Sequence, residues 1–252
     1  MRMLAVAQNT FREAVRDKVL YVLLFLAAVT ILGSKILGWI SIGQDIKIIK
    51  SISLGAISVF GVLIAVFIGT NLIYKEVDKR TIYTILCTPM YRFEFILGKY
   101  IGLAMLLAVV TVTMTLVAVG YVFVMGGAVS SSFFMAALLI YAKLLLITAF
   151  ALLMSSLTSP ILGAIIVLAT YWVGHGTGIL VDLPGQFSET MKAVMHGVYY
   201  IIPNLANFDI SAEAANNVPV PADYFIWALA YGAVYTGMLL FLAALAFEDK
   251  DV

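Results

Sequence analysis

Long apolar stretches alternate along this chain with short polar breaks. Length and hydropathy predict six membrane spans, at about 19–40, 52–74, 97–125, 133–156, 161–181 and 224–247. Roughly 20 helical residues cross a hydrocarbon core of about 30 Å. The stretch from Tyr100 to Ala142 is charge-free for 43 residues, too long for one span. The break Gly126-Gly127-Ala128-Val129-Ser130-Ser131-Ser132 divides it into a hairpin. A second break, Ser155-Ser156-Leu157-Thr158-Ser159-Pro160, separates spans four and five. The spans should be helical, because an open sheet would leave backbone groups unpaired in lipid. The expected fold is therefore an all-α integral membrane protein, a single transmembrane domain over residues 1–252.

Two polar segments carry their own periodicity. In residues 3–18, Leu4, Ala7, Phe11, Ala14 and Val15 fall at helical spacing opposite Gln8, Arg12, Glu13, Arg16 and Asp17. That pattern suits an amphipathic helix in the membrane interface, or simply a basic tail that sets topology. Between spans five and six, residues 188–200 form a short helix with Met191, Val194, Met195 and Val198 on one side. Pro203 stops it, and Pro219 and Pro221 mark a turn before span six.

Composition agrees with the spans. The 252 residues are 63% hydrophobic and 12% charged, with a mean hydropathy of +1.07, beyond the usual soluble domain. One cysteine, Cys87, excludes an internal disulfide, and two histidines leave little room for a histidine metal cage. The first residues do not read as a cleaved signal. Charge distribution sets orientation. With the N-terminus inside, ten Lys and Arg residues lie on the inner side against four on the outer. Both termini are then cytoplasmic, in a cell (inner) membrane.

The densest polar segment is Tyr74 to Glu94, between spans two and three, which holds seven of the 29 charged residues. Asp78 suits an N-cap and Pro89 ends a helix at or before Thr88. Within it Ile82, Ile85 and Leu86 make an apolar stripe flanked by Lys79, Arg80 and Tyr83. Such a helix suits a groove on a partner protein. It equally suits the headgroup layer, with its basic residues on anionic lipid.

The run from Asp45 through Gly102 resembles the type-2 ABC exporter permeases, particularly the NosY-like branch named for multicopper-enzyme maturation. The residues that carry the likeness are Asn71-Leu72-Ile73-Tyr74-Lys75-Glu76, Lys79-Arg80-Thr81-Ile82-Tyr83-Thr84-Ile85-Leu86 and Thr88-Pro89-Met90-Tyr91-Arg92-Phe93-Glu94-Phe95-Ile96-Leu97-Gly98-Lys99. Asn9 to Lys18 and Ile202-Pro203-Asn204-Leu205-Ala206-Asn207-Phe208-Asp209 fit the same pattern. The resemblance implies a homodimer of six-span permeases in lipid, each engaging a cytoplasmic ABC ATPase. An extracytoplasmic accessory protein is compatible with it, and nucleic acid is not a partner. Residues 3–18 then correspond to an elbow helix and 76–90 to a coupling helix. Glu76, Lys79, Arg80, Ile82, Tyr83, Ile85, Leu86 and Arg92 are its ATPase-coupling residues. The chain has no Gly-x-x-x-x-Gly-Lys-Ser/Thr loop, so no cofactor is expected here and ATP belongs to the partner subunit.

Two residues stand out inside the spans as translocation-path candidates. Lys143 lies mid-span, where an unpaired charge costs about 2.5–3.5 kcal/mol. It either attracts an anionic or carbonyl-bearing substrate or snorkels and bonds to carbonyls and hydroxyls between helices. No acid lies within the spans, so an ion pair would need a boundary residue such as Asp182. His175, in Tyr171-Trp172-Val173-Gly174-His175-Gly176-Thr177-Gly178, is either a hydrogen-bonded core histidine or a ligand or proton relay. Met191, Met195 and His196 form a soft-ligand cluster that suits Cu(I), though methionines at this spacing also simply pack. Gly98 and Gly102 make a small-xxx-small pattern for close helix contact. Transport is the leading function. An ATP-independent secondary transporter and a membrane-embedded enzyme are the alternatives. The enzyme lacks span carboxylates, a Gly-x-Ser-x-Gly elbow and a His-Glu-x-x-His motif.

Overall fold

A backbone in lipid must satisfy its own amides, and this chain does so by remaining helical. The computed structural model describes residues 2–38, 44–78, 92–176 and 202–248, and no strand occurs among them. Helix α1 (Arg2–Val15) leads into α2 (Lys18–Gly38), followed by α3 (Asp45–Asp78), α4 (Arg92–Val124), α5 (Ser131–Leu157) and α6 (Pro160–His175). A 3-10 turn over Leu205–Phe208 and the short α7 (Ser211–Ala215) precede α8 (Ala222–Glu248). Among the described residues five helices, α2, α3, α4, α5 and α8, are long and apolar enough to cross a membrane. Several of their Ser and Thr hydroxyls fold back on the preceding turn, as Ser53 does on Ile49 and Thr148 on Leu144. Such back-bonding hides the hydroxyl from lipid.

The breaks read from the sequence fall where the helices end. Gly126 turns the chain after α4 with a φ of +77°, a left-handed conformation that suits glycine. Pro160 stands in the first turn of α6, where its missing N–H costs nothing. The Thr158 amide closes α5 by donating to the Met154 carbonyl at 2.8 Å.

Several boundaries differ from the sequence reading. The second span was expected from about residue 52, but α3 already begins at Asp45, so Lys50 is buried within a helix. Helix α3 runs to Asp78, and the separate helix expected after it lies outside the described residues. Each extra turn satisfies amides that would otherwise need water at the membrane edge. Helix α6 has 16 residues and stops at His175, short of the span expected to 181. The Gly176 amide closes it by donating to the carbonyls of Trp172 and Val173. Residues 177–181 and the helix expected over 188–200 lie outside the described residues.

Packing follows small residues, as it must where lipid removes the hydrophobic drive between helices. A Cβ on Gly102 would stand 2.5 Å from the Ala7 carbonyl oxygen, and one on Gly98 2.8 Å from Val6. The glycine pair is thus a seat for α1, whose Ala7, Thr10 and Ala14 are buried there. Leu4, on the same apolar face, is exposed. Gly61 and Gly69 admit Leu144 and Ala151, bringing α3 against α5. Ser155 ties the same pair by donating to the Thr70 carbonyl. Tyr121 links α4 to α2 through the Leu32 carbonyl.

These contacts define two ends. At the α1 end, the Phe95 and Phe247 rings stack at 5.8 Å, and buried Lys99 donates to the Leu72 carbonyl at 2.8 Å. At the other end, residues 202–221 make a cap. Ser132 bonds the Val218 carbonyl, Tyr224 bonds the Asn207 carbonyl, and Phe208 packs on Gly232.

Candidate functional site

The two ionisable side chains singled out within the spans belong to one polar array. Lys143 on α5 is completely buried. Its ammonium donates to the Ser58 hydroxyl on α3 at 2.7 Å and lies 5.8 Å from the Tyr171 ring centroid on α6. The lysine therefore neither snorkels nor faces an open cavity. A hydroxyl and an aromatic face offset part of its desolvation.

One helical turn after Tyr171, His175 lies against it, with ring centroids 5.4 Å apart. His175 Nε2 meets Asp209 Oδ2 at 3.0 Å. A carboxylate only accepts, so the ring carries its proton on Nε2. The other nitrogen, Nδ1, is buried and has no hydrogen-bond partner among the described residues. Asp209 Oδ1 accepts the Ser211 amide at 3.1 Å. The hydrogen bond from His175 holds the Asp209 carboxyl well below the usual carboxylate range, with help from Ser211 and the Lys143 charge, against the opposing effect of burial.

Local sequence builds this approach. A Cβ at Gly174 would stand 2.7 Å from the Pro203 carbonyl oxygen, so glycine there lets the chain after Pro203 seat against α6. Asn204 then starts the 3-10 turn by accepting the Ala206 amide, and the Asp209 amide closes it on the Ala206 carbonyl. The result is a continuous line of polar groups from the middle of α5 to the cap.

Lys143 and His175 are thus brought together, although no direct contact joins them. Among the described residues the acid near them is Asp209; Asp182 lies outside the described residues. Ser58, Tyr171 and Asp209 received no role from the sequence. The signal for Tyr171 was its four-residue spacing from His175, and for Asp209 its place at the end of the Ile202–Asp209 run. Lys79, Arg80, Ile82, Tyr83, Ile85 and Leu86 lie outside the described residues, as do Met191, Met195 and His196. Glu76 and Arg92 fall on the flanking turns of α3 and α4.

A family model described as ABC-2 family transporter protein matches residues 4–252, nearly the whole chain. The chain belongs to the ABC-2 transporter family. As an ABC-2 protein it is a multi-pass membrane permease, the transport subunit of an ABC transporter, and the family implies association with an ABC ATPase. No curated protein matches it. The array of Ser58, Lys143, Tyr171, His175 and Asp209 therefore lies inside an ABC-2 permease, where it joins three helices to the cap.

Proposed function

We propose that this permease serves an ATP-driven exporter of the NosY-like branch, as a homodimer with a cytoplasmic ATPase at the α1 end. The observation that carries this reading is the charge distribution. Ten Lys and Arg residues belong to segments at that end and four to the other, which makes it cytoplasmic under the positive-inside rule. The segment between α3 and α4 then faces the ATPase, with Ile82, Ile85 and Leu86 as its apolar contacts. Export is the direction that the resemblance to type-2 exporters implies, and ATP binds on the partner.

Within this scheme the polar array is a latch. It holds α6 against α3 and α5 and fastens the cap to them. Lys143 and His175 join the translocation path when α6 moves away during the transport cycle.

Copurification with the ATPase and coupled ATP hydrolysis test the docking assignment. Ile85→Asp and Leu86→Asp each place a charge in an apolar contact and should reduce partner retention and coupled activity about tenfold or more. Full retention by both variants would show that the ATPase docks elsewhere.

A further inference from the structure

At the capped end, a cavity of about 610 Å³ lies between the end of α2, the start of α3, the α4–α5 turn and α7. That volume is within the range of small-molecule sites. Its charged lining is unbalanced, with Lys35, Lys47 and Lys50 against Asp45. Lys50 is 1% exposed, which is unusual for an ammonium without a carboxylate. Among the described residues, none of the three lysines forms an ion pair.

The Lys50 ammonium donates to Asn217 Oδ1 at 2.7 Å. An ammonium has three donors, so two remain for another acceptor. Asn217 is itself held in place by the way α7 ends. It takes a left-handed φ of 56°, while the Val218 amide reaches back to the Glu213 carbonyl at 2.9 Å, a Schellman ending. The acceptor is therefore fixed by a local backbone motif. The first turn of α3 also borders the cavity, and the start of a helix favours negative charge. Ile46, Ile49 and Met125 supply apolar wall beside the lysines.

We infer that this cavity binds a phosphate-bearing anion, with Lys50 holding its charge from within and the exposed Lys35 and Lys47 at the rim. A buried cation, a surplus of positive lining and adjoining apolar wall together match that chemistry. An anionic lipid headgroup and free phosphate share it, and competition separates the two sources.

The test is native mass spectrometry of the detergent-purified protein with short-chain phosphatidylglycerol and phosphatidylcholine, followed by competition with inorganic phosphate. Phosphatidylglycerol should bind in preference to phosphatidylcholine. Lys50→Met should weaken it about tenfold or more, the scale of a charged hydrogen bond. The double variant Lys35→Gln/Lys47→Gln changes only exposed side chains, so it carries the test if Lys50→Met does not fold; it should weaken binding about threefold. Displacement of the lipid by inorganic phosphate, with the same lysine dependence, assigns the site to a free anion. Failure of phosphate to compete assigns it to the lipid headgroup. Equal retention of both lipids, or phosphatidylglycerol binding unchanged in the folded variants, overturns the inference.

Discussion

Lys143 is the side chain whose environment matters most to its own stability. Its hydrogen bond to Ser58 is worth more than a neutral one, because an ammonium left without that partner keeps its full desolvation cost. Ser58→Ala should therefore destabilise the permease by about 1–3 kcal/mol, read as a lower thermal midpoint in detergent. Lys143→Met removes the buried charge and should be neutral or stabilising, and in that background Ser58→Ala should cost little. Equal losses in both backgrounds would separate Ser58 from the lysine. Asp209 gives a pH signature. Its folded pKa lies below the ordinary 3.8, chiefly through His175. Its contribution is thus present above 3.8 and is lost only as pH falls through the folded value. Asp209→Asn should lower the thermal midpoint similarly at about pH 7 and about pH 5, the difference narrowing only in stronger acid. A gap that closed between those two conditions would contradict the assignment. Lys143 and His175 were legible because a polar group in an apolar run is conspicuous. Ser58 was not, since it stands 85 positions from Lys143 and only the packing of α3 on α5 brings them together.

Among the elements, α1 shows that a correct pattern leaves its partner open. Its apolar periodicity suggested a helix resting on the bilayer, and the structure packs it on α4 through Gly98 and Gly102. Gly102→Ala would press a methyl onto the Ala7 carbonyl and the Thr10 Cβ, 2.5 and 2.7 Å away. It should cost about 1–3 kcal/mol and speed tryptic cleavage at Arg12 and Arg16 as α1 lifts. Gly120→Ala is the control. Nothing stands within 4 Å of a Cβ there, so that change should be neutral or slightly stabilising. If both variants behaved alike, α1 would not depend on close approach at Gly102. The two glycines were visible as a spacing in the sequence. Their partner was not, because the motif specifies a tolerance for close contact and says nothing of what makes it.

For the whole molecule, a latch that closes inside one protomer must open if Lys143 ever meets substrate. With Cys87 replaced by Ser, the variant Lys143→Cys should resist a membrane-permeant thiol reagent at rest, as its complete burial requires. It should react in the complex with the ATPase during ATP turnover. Protection throughout turnover would confine Lys143 to a structural role. The apolar runs, their breaks and the uneven spread of basic charge along the chain were legible in the sequence alone. They follow from the bilayer thickness and the cost of carrying charge through it, which act on each segment separately. Which helix covers which was decided only by tertiary structure, as was the meeting of Lys143 with Ser58, of His175 with Asp209, and of Lys50 with Asn217. Those pairings depend on shape between distant segments, and in lipid almost any apolar face can meet another. A few glycines and buried polar groups are left to choose among them.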